Sequence, residues 1–416
     1  MRKRSILILC TAWMLLLVAG VSSAVTMALC GAFDKPDVQG GPVEVDYEQY
    51  RSIERYARLD EVRRTLSENY YTALDEDALV LGAIRGMMDA VDDPYTFYYT
   101  TEEMRGMTEH TQGLYEGVGL LLSSDKTGAL TVLRVFRDSP AYEAGVLPGD
   151  VITSINGEAV SAQTSKALSD AIDRIKNSAE TLFMLTLRRG DGFLTVGMTR
   201  SAVAIDRVEY KVLPGGIGYI AIYEFMGDDV SGFRKAARAL QQEAVQGLIL
   251  DVRSNPGGLL TDVVEIANQL MGEGLIVYTE DREGKRSEYF SDAAMWDVPI
   301  AVLVNGMSAS ASEILAGALQ DTGRAVVVGE TTYGKGIVQT VIPFRSDGAG
   351  MQLTTATYYT PSGRSIHEKG ITPDLRVDAG ISANTVYVQP DLSRDTQLKA
   401  AYDALVKRVK EAKKRA

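Results

Sequence analysis

The sequence predicts an α/β protein of several domains, and three observations carry that prediction. At 416 residues the chain exceeds one ordinary domain. Between Ile205 and Val388, short apolar runs alternate with helical patterns, as when helices cover a sheet. Ahead of that region lies a β-rich stretch around Asn156-Gly157, the strongest short hairpin signal. The net charge of −12 comes without a basic stripe, so nucleic acid is not an expected partner.

The N-terminus opens with Met1-Arg2-Lys3-Arg4, and Ser5 to Phe33 then carry no charge. Such a run exceeds the ~20 residues that span a bilayer. Positive residues stay cytoplasmic, so 1–33 is expected to be a single-pass anchor with the rest of the chain outside the cytoplasm. Ser22-Ser23-Ala24 supports the competing reading, a cleaved signal peptide and a secreted form. Leu29 before Cys30 is too large for a lipoprotein signal. Cys10 and Cys30 are the only cysteines and both lie here, which removes disulfides, thiol catalysis and cysteine metal sites from the rest. The two histidines, His110 and His367, are too far apart for a helical zinc motif.

Pro36, Gly40, Gly41 and Pro42 mark 34–46 as a linker. Tyr50, Ile53, Tyr56, Leu59, Val62 and Leu66 recur at helical spacing, and a second helix is predicted over Asp77 to Val91. This helical region, 47–113, reads as a packing or dimerisation element. In 114–203, strands are predicted at Gly117 to Leu122, Leu130 to Val135, Asp150 to Ile155, Thr181 to Arg188 and Phe193 to Thr199. Ser139 caps a short helix stopped by Gly145, and Ala167, Leu168, Ala171, Ile172 and Ile175 share one face of a longer one. In 204–388, strands are predicted at Ile217 to Ile222, Gly247 to Val252, Ile300 to Val304 and Ala325 to Gly329. Helices are predicted at Phe233 to Gln242, Leu260 to Met271 and Ala311 to Gln320. The tail, 389–416, ends in a basic helix over Lys407 to Lys414, read as a solvated or dimer-facing end.

The chemistry centres on Asn305 to Glu313, which leaves a buried strand and enters a helix. A serine there meets free backbone N–H groups and a positive helix end, the requirements of an oxyanion. Ser310-x-x-Glu313 is also a capping box, the reading that spacing alone favours. A serine nucleophile needs a base, and the separated histidines disfavour a Ser-His-Asp triad. Lys335, between Gly334 and Gly336 and amid apolar strands, is the candidate once burial lowers its pKa; a loop lysine between turn glycines is the plain alternative. In an extended segment Lys335, Ile337 and Gln339 share a face, where Gln339 orients the amine. Gly329 to Lys335 nearly matches a phosphate loop but lacks the Ser or Thr after its lysine. The glycine turn of Asp251 to Gly258 lets backbone approach a ligand closely, or simply joins strand to helix.

Taken together, SASASEILAGAL, VVGETTYGKGIVQ, LDVRSNPGG and TATYYTPSGRSIHEKGITPD resemble the carboxy-terminal processing, or tail-specific, serine peptidases from about Tyr47 to Asp374. The resemblance implies a crotonase/ClpP-like β-α protease core with an inserted PDZ domain. It implies Ser310 as nucleophile, chosen over Ser308 and Ser312 by the family pattern, Lys335 as general base and Gln339 completing the set. It implies an oxyanion hole from the Ala311 and Gly257 amides. Gly117-Val118-Gly119-Leu120 is similar to the carboxylate-binding loop of PDZ domains, which take a peptide as an added strand. Lys176 stands where relatives carry a basic residue that couples PDZ to protease. A homodimer, protein substrates with accessible C-termini, and no metal or cofactor are the expectations. The rival from another class is a catalytically silent, membrane-tethered PDZ scaffold; a non-proteolytic crotonase-like enzyme is a third reading.

Overall fold

The computed structural model describes residues 46–415 apart from 112–113, 125–127, 137, 163–164, 178–181, 205–206, 293–294 and 379–389. The anchor expected at 1–33 and nearly all of the linker lie outside the described residues. Among the described residues no helix is long and apolar enough to cross a membrane.

The chain divides after Gly82. In the first unit, helix Tyr47–Asn69 starts at Asp46, whose carboxylate accepts the Gln49 N–H at 2.8 Å while the Gln49 side chain accepts the Asp46 N–H at 3.2 Å. This reciprocal cap fixes the start of the helix. The predicted stripe from Tyr50 to Leu66 lies on it, and every member is exposed. The second predicted helix is Glu76–Asp89.

In the second unit, the β-rich region forms a six-stranded sheet from Leu120–Ser124, Leu130–Val135, Val151–Ile155, Leu182–Arg189 and Gly192–Thr199, with Glu158–Ala159 against Val151–Ile155. Asn156 and Gly157 sit at φ 51° and 81°, the left-handed pair that a tight hairpin requires. Leu130, Val132, Ile152, Phe183, Leu185 and Leu187 fill its core. Strand Leu114–Gly117 pairs antiparallel with Ser201–Ala204, so the chain enters and leaves this region side by side.

The following region builds a second six-stranded sheet, in the order Val208–Leu213, Ile217–Ile222, Gly247–Asp251, Ile300–Val304, Ala325–Gly329 and Leu375–Arg376. The first pair is antiparallel and the others are parallel. Its three central parallel strands are buried at every residue, because helices or chain cover both faces. Ile220, Leu248, Leu250 and Val302 share a core with helices Asp229–Gln242, Leu260–Asn268 and Ala311–Asp321. On the other face Tyr219, Ile249, Ala301 and Leu303 meet Leu398, Ala401, Leu405 and Val409 of helix Thr396–Arg415. The basic run Lys407 to Lys414, read as a solvated or dimer-facing end, is the last part of this helix; Lys407 and Lys410 are exposed while Val409 between them is buried.

A further five-stranded sheet contains Phe97–Tyr99, Gly350–Tyr359, Gly274–Asp281, Arg286–Ser291 and Ile337–Pro343. It brings the segment after Lys335 beside the residues that follow Pro94, since Phe97 and Val341 both pair with Gln352. The core and the glycine turn meet at Gly258, at φ +142°, where an added Cβ would lie 2.0 Å from the Phe225 carbonyl oxygen. The Gly258→Ala variant is expected to lose ~3 kcal/mol or more of stability, because backbone must move. Thermal unfolding followed by circular dichroism measures that loss.

Candidate active site

Strand Gly247–Asp251 delivers the turn Val252 to Gly258. Arg253, buried, is clamped by Asp251 at 2.6 Å and Asp395 at 2.8 Å, which fixes the turn to the C-terminal helix. Asn255 holds the turn from within. Its Nδ2 donates to the Ile222 carbonyl at 2.9 Å and its Oδ1 accepts the Gly257 N–H at 2.8 Å.

The three serines of the SASAS run have different surroundings. Ser308 and Ser312 are fully buried, and their hydroxyls donate to the carbonyls of Val252 at 2.8 Å and Asn255 at 3.0 Å. They pin the serine loop to the glycine turn. Ser310 between them is partly exposed, at φ 54°, immediately before helix Ala311–Asp321. A non-glycine residue in that conformation is strained and is held there by its surroundings. Those surroundings are tight: a Cβ on Gly257 would stand 2.7 Å from the Ser310 Cβ and 3.0 Å from the Ala311 nitrogen. Gly257 and Ala311 thus meet beside Ser310. The Ala311 N–H donates no hydrogen bond among the described residues, whereas the Gly257 N–H is engaged by Asn255 in this form.

Glu313 binds the two halves of the site. Its buried Oε1 accepts from Thr332 Oγ1 at 2.6 Å and the Gly334 N–H at 2.8 Å. Its Oε2 accepts the Ser310 N–H at 2.8 Å and the Lys335 N–H at 2.9 Å. The carboxylate half of the capping reading is present, and the same carboxylate also reaches the loop that carries Lys335. One oxygen atom brings the backbones of residues 310 and 335 together. Burial raises the Glu313 pKa, against the pull of Thr332 and the three backbone donors. In Glu313→Gln an amide NH₂ would replace one of these oxygens and face two donors in turn. The variant is expected to lose about 2–4 kcal/mol, measured by denaturant unfolding, because buried donors go unpaired.

Lys335 is half-buried, and its Nζ lies 4.4 Å from the centre of the Tyr95 ring. Burial holds its pKa below the ordinary lysine value, while the charges of Asp93 and Glu313 act in the opposite sense. The Tyr358 phenol, fully buried, donates to the Lys335 carbonyl and adjoins the Ser310 side chain. The loop after Ile366 closes over this segment, since a Cβ on Gly336 would stand 2.3 Å from the His367 nitrogen.

Lys335 and Gly336 precede strand Ile337–Pro343, and the pairing shifts register beside Gln339, where Thr355 of the partner strand is left unpaired in the ladder. The Gln339 amide donates to Thr354 Oγ1 at 3.3 Å. Thr354 donates its N–H to Thr96 Oγ1 at 3.2 Å, and Thr96 donates at 2.7 Å to Asp93, whose charge acts on Lys335. Sequence reading missed Asp93, Tyr95 and Tyr358 as neighbours of the site. Asp93 lies just past the helix predicted over Asp77 to Val91, and no spacing links these residues to Lys335.

In the PDZ-like region, the Val118 and Gly119 carbonyls accept the Ala141 and Phe136 N–H groups, each at 2.9 Å. Gly117 ends one strand and Leu120 starts the next. Gly119, at φ +83°, lies so near Ser139 that a Cβ would be 2.2 Å from its Oγ. Lys176 is exposed, and its carbonyl accepts from Arg200.

Three family descriptions match the chain in order: "Activating protease CtpB N-terminal domain" at residues 20–103, "PDZ domain" at 131–189 and "Peptidase family S41" at 216–377. A carboxy-terminal-processing protease of Bartonella bacilliformis is 38% identical over 339 residues, covering 79% of this chain and 76% of its own length. A probable CtpA-like serine protease of Staphylococcus aureus is 35% identical over 326 residues, 77% of this chain and 64% of the relative. The solved photosystem II D1 C-terminal processing protease superposes with a TM-score of 0.52 at 30% identity, covering 86% of this chain and 98% of that one. With this fold and these relatives, the chain belongs to the carboxy-terminal-processing serine peptidases of family S41 and carries their PDZ domain.

Proposed function

We propose that the protein cleaves protein substrates near their C-termini through an acyl-enzyme formed on Ser310. The observation that carries this reading is the Glu313 Oε2 atom shared by the backbones of Ser310 and Lys335. Neutral Lys335 takes the Ser310 proton as Oγ attacks the peptide carbonyl, and then returns a proton to the leaving amine. Ala311 and the glycine turn supply the oxyanion donors. Gly257 serves in that role once its N–H turns from Asn255. Gln339 completes the set, held by Thr354 on the strand beside the base.

The PDZ domain, with proposed bounds 114–203, takes a substrate C-terminus at Gly117 to Leu120 as an added strand and controls access to the core at 204–388. The exposed apolar stripe of helix Tyr47–Asn69 fits a homodimer contact. The uncharged run at 1–33 fits a membrane anchor that leaves the peptidase outside the cytoplasm.

The test is incubation of the purified chain with a denatured protein, with product C-termini mapped by mass spectrometry. Discrete cuts near the substrate C-terminus, chased over time, support the reading. Tight peptide binding without turnover supports the silent scaffold instead.

A further inference from the structure

We propose that Arg134, on the PDZ sheet, is a positioning residue for the glycine turn of the peptidase site. The proposal rests on the reading of Ser310 as nucleophile. Arg134 lies on strand Leu130–Val135 but extends its side chain to the core sheet. Its guanidinium is almost wholly buried and binds Glu209, on core strand Val208–Leu213, at 2.8 Å. It also stacks on the ring of Tyr223, 4.0 Å from the centroid, and on Phe136 at 4.9 Å. The Tyr223 hydroxyl donates to the other Glu209 oxygen at 2.9 Å. Cation, carboxylate and phenol thus close a three-membered cluster across the junction, where a buried guanidinium needs both partners.

Tyr223 is the residue through which this cluster reaches the site. Its neighbour Ile222 accepts the Asn255 side-chain amide through its carbonyl at 2.9 Å. Two residues on, Phe225 donates its N–H to the Gly257 carbonyl at 2.8 Å and accepts the Leu259 N–H at 2.7 Å. Tyr223 is therefore flanked on both sides by residues that grip the turn. The Gly258 backbone is pressed against Phe225 so closely that no side chain fits there. A sideways shift of Tyr223 moves the peptide groups that line Ser310. Arg134 grips the Tyr223 ring from the PDZ sheet, and Glu209 grips its hydroxyl from the core strand.

The test compares the full chain with Arg134→Met, Tyr223→Leu, the double variant and Arg134→Lys. Four quantities are read: kcat and KM on an unfolded protein, the rate at which a fluorophosphonate labels Ser310, and the affinity of a C-terminal peptide for the PDZ domain. Arg134→Met is expected to lower kcat and the labelling rate about tenfold, with KM and peptide affinity changed less than twofold. Tyr223→Leu should do the same from the core side, and the double variant should be no slower than either single one. Arg134→Lys should recover part of the rate. Unchanged labelling in Arg134→Met overturns the proposal. So does an additive double variant, or a rate lost only in step with peptide affinity or melting temperature. Absence of labelling at residue 310 in the unmodified enzyme refutes the nucleophile assignment instead, a separate outcome.

Discussion

Ser310→Ala is expected to reduce cleavage of an unfolded protein by a factor of ~10⁴ or more, the scale seen when a serine nucleophile is removed from an intact site. The fold should survive, because Ser308 and Ser312, not Ser310, donate their hydroxyls to the glycine turn. Glu313 still accepts the backbone N–H of residue 310 after the change. The variant should therefore melt near the parent temperature and bind the same C-terminal peptides. Quantitative electrophoresis of a denatured substrate over days gives the sensitivity that such a factor requires. Full retention of cleavage would place the nucleophile elsewhere.

Lys335→Met is the second large effect, a loss of about 10²–10⁴-fold in kcat/KM, the usual contribution of a positioned base. Methionine keeps the aliphatic reach over the Tyr95 ring without an amine to accept a proton. Lys335→Arg should be nearly as poor, since a guanidinium stays charged at every working pH. The pH profile tests the same point with no mutation. The amine is the base only when neutral, so the rate must rise with pH as Lys335 loses its proton. Burial lowers the Lys335 pKa, so the rise should be centred below the ordinary lysine value of ~10.4. Asp93 works against burial, so Asp93→Asn should move the midpoint further down. A rate that is flat from neutral to alkaline pH would remove lysine from the mechanism.

What the sequence disclosed tracks burial. Ile217–Ile222, Ile300–Val304 and Ala325–Gly329 were legible to the residue, because strands covered on both sides leave unbroken apolar runs. The sheet that contains Gly350–Tyr359 was not. Most residues of that strand are half-buried, half of it is threonine or tyrosine, and it pairs with strands far away in sequence. That sheet places Tyr95 and Asp93 near Lys335, so the surroundings of the base were hidden along with it. Ser310 stood out through its motif, and the different surroundings of its two neighbours needed coordinates. Glu313 was visible as a helix cap. Its hold on Gly334 and Lys335 depends on a loop that no local pattern reveals.

The paired strands Leu114–Gly117 and Ser201–Ala204 make the recognition module a cassette with a single narrow doorway. Adjacent strands lie ~5 Å apart, so a two-residue turn could bridge the doorway and leave the catalytic sheet continuous. The same doorway would accept a foreign module whose own ends lie close together. Swapping what the peptidase recognises then becomes an exchange of one insert rather than a redesign of the catalytic core.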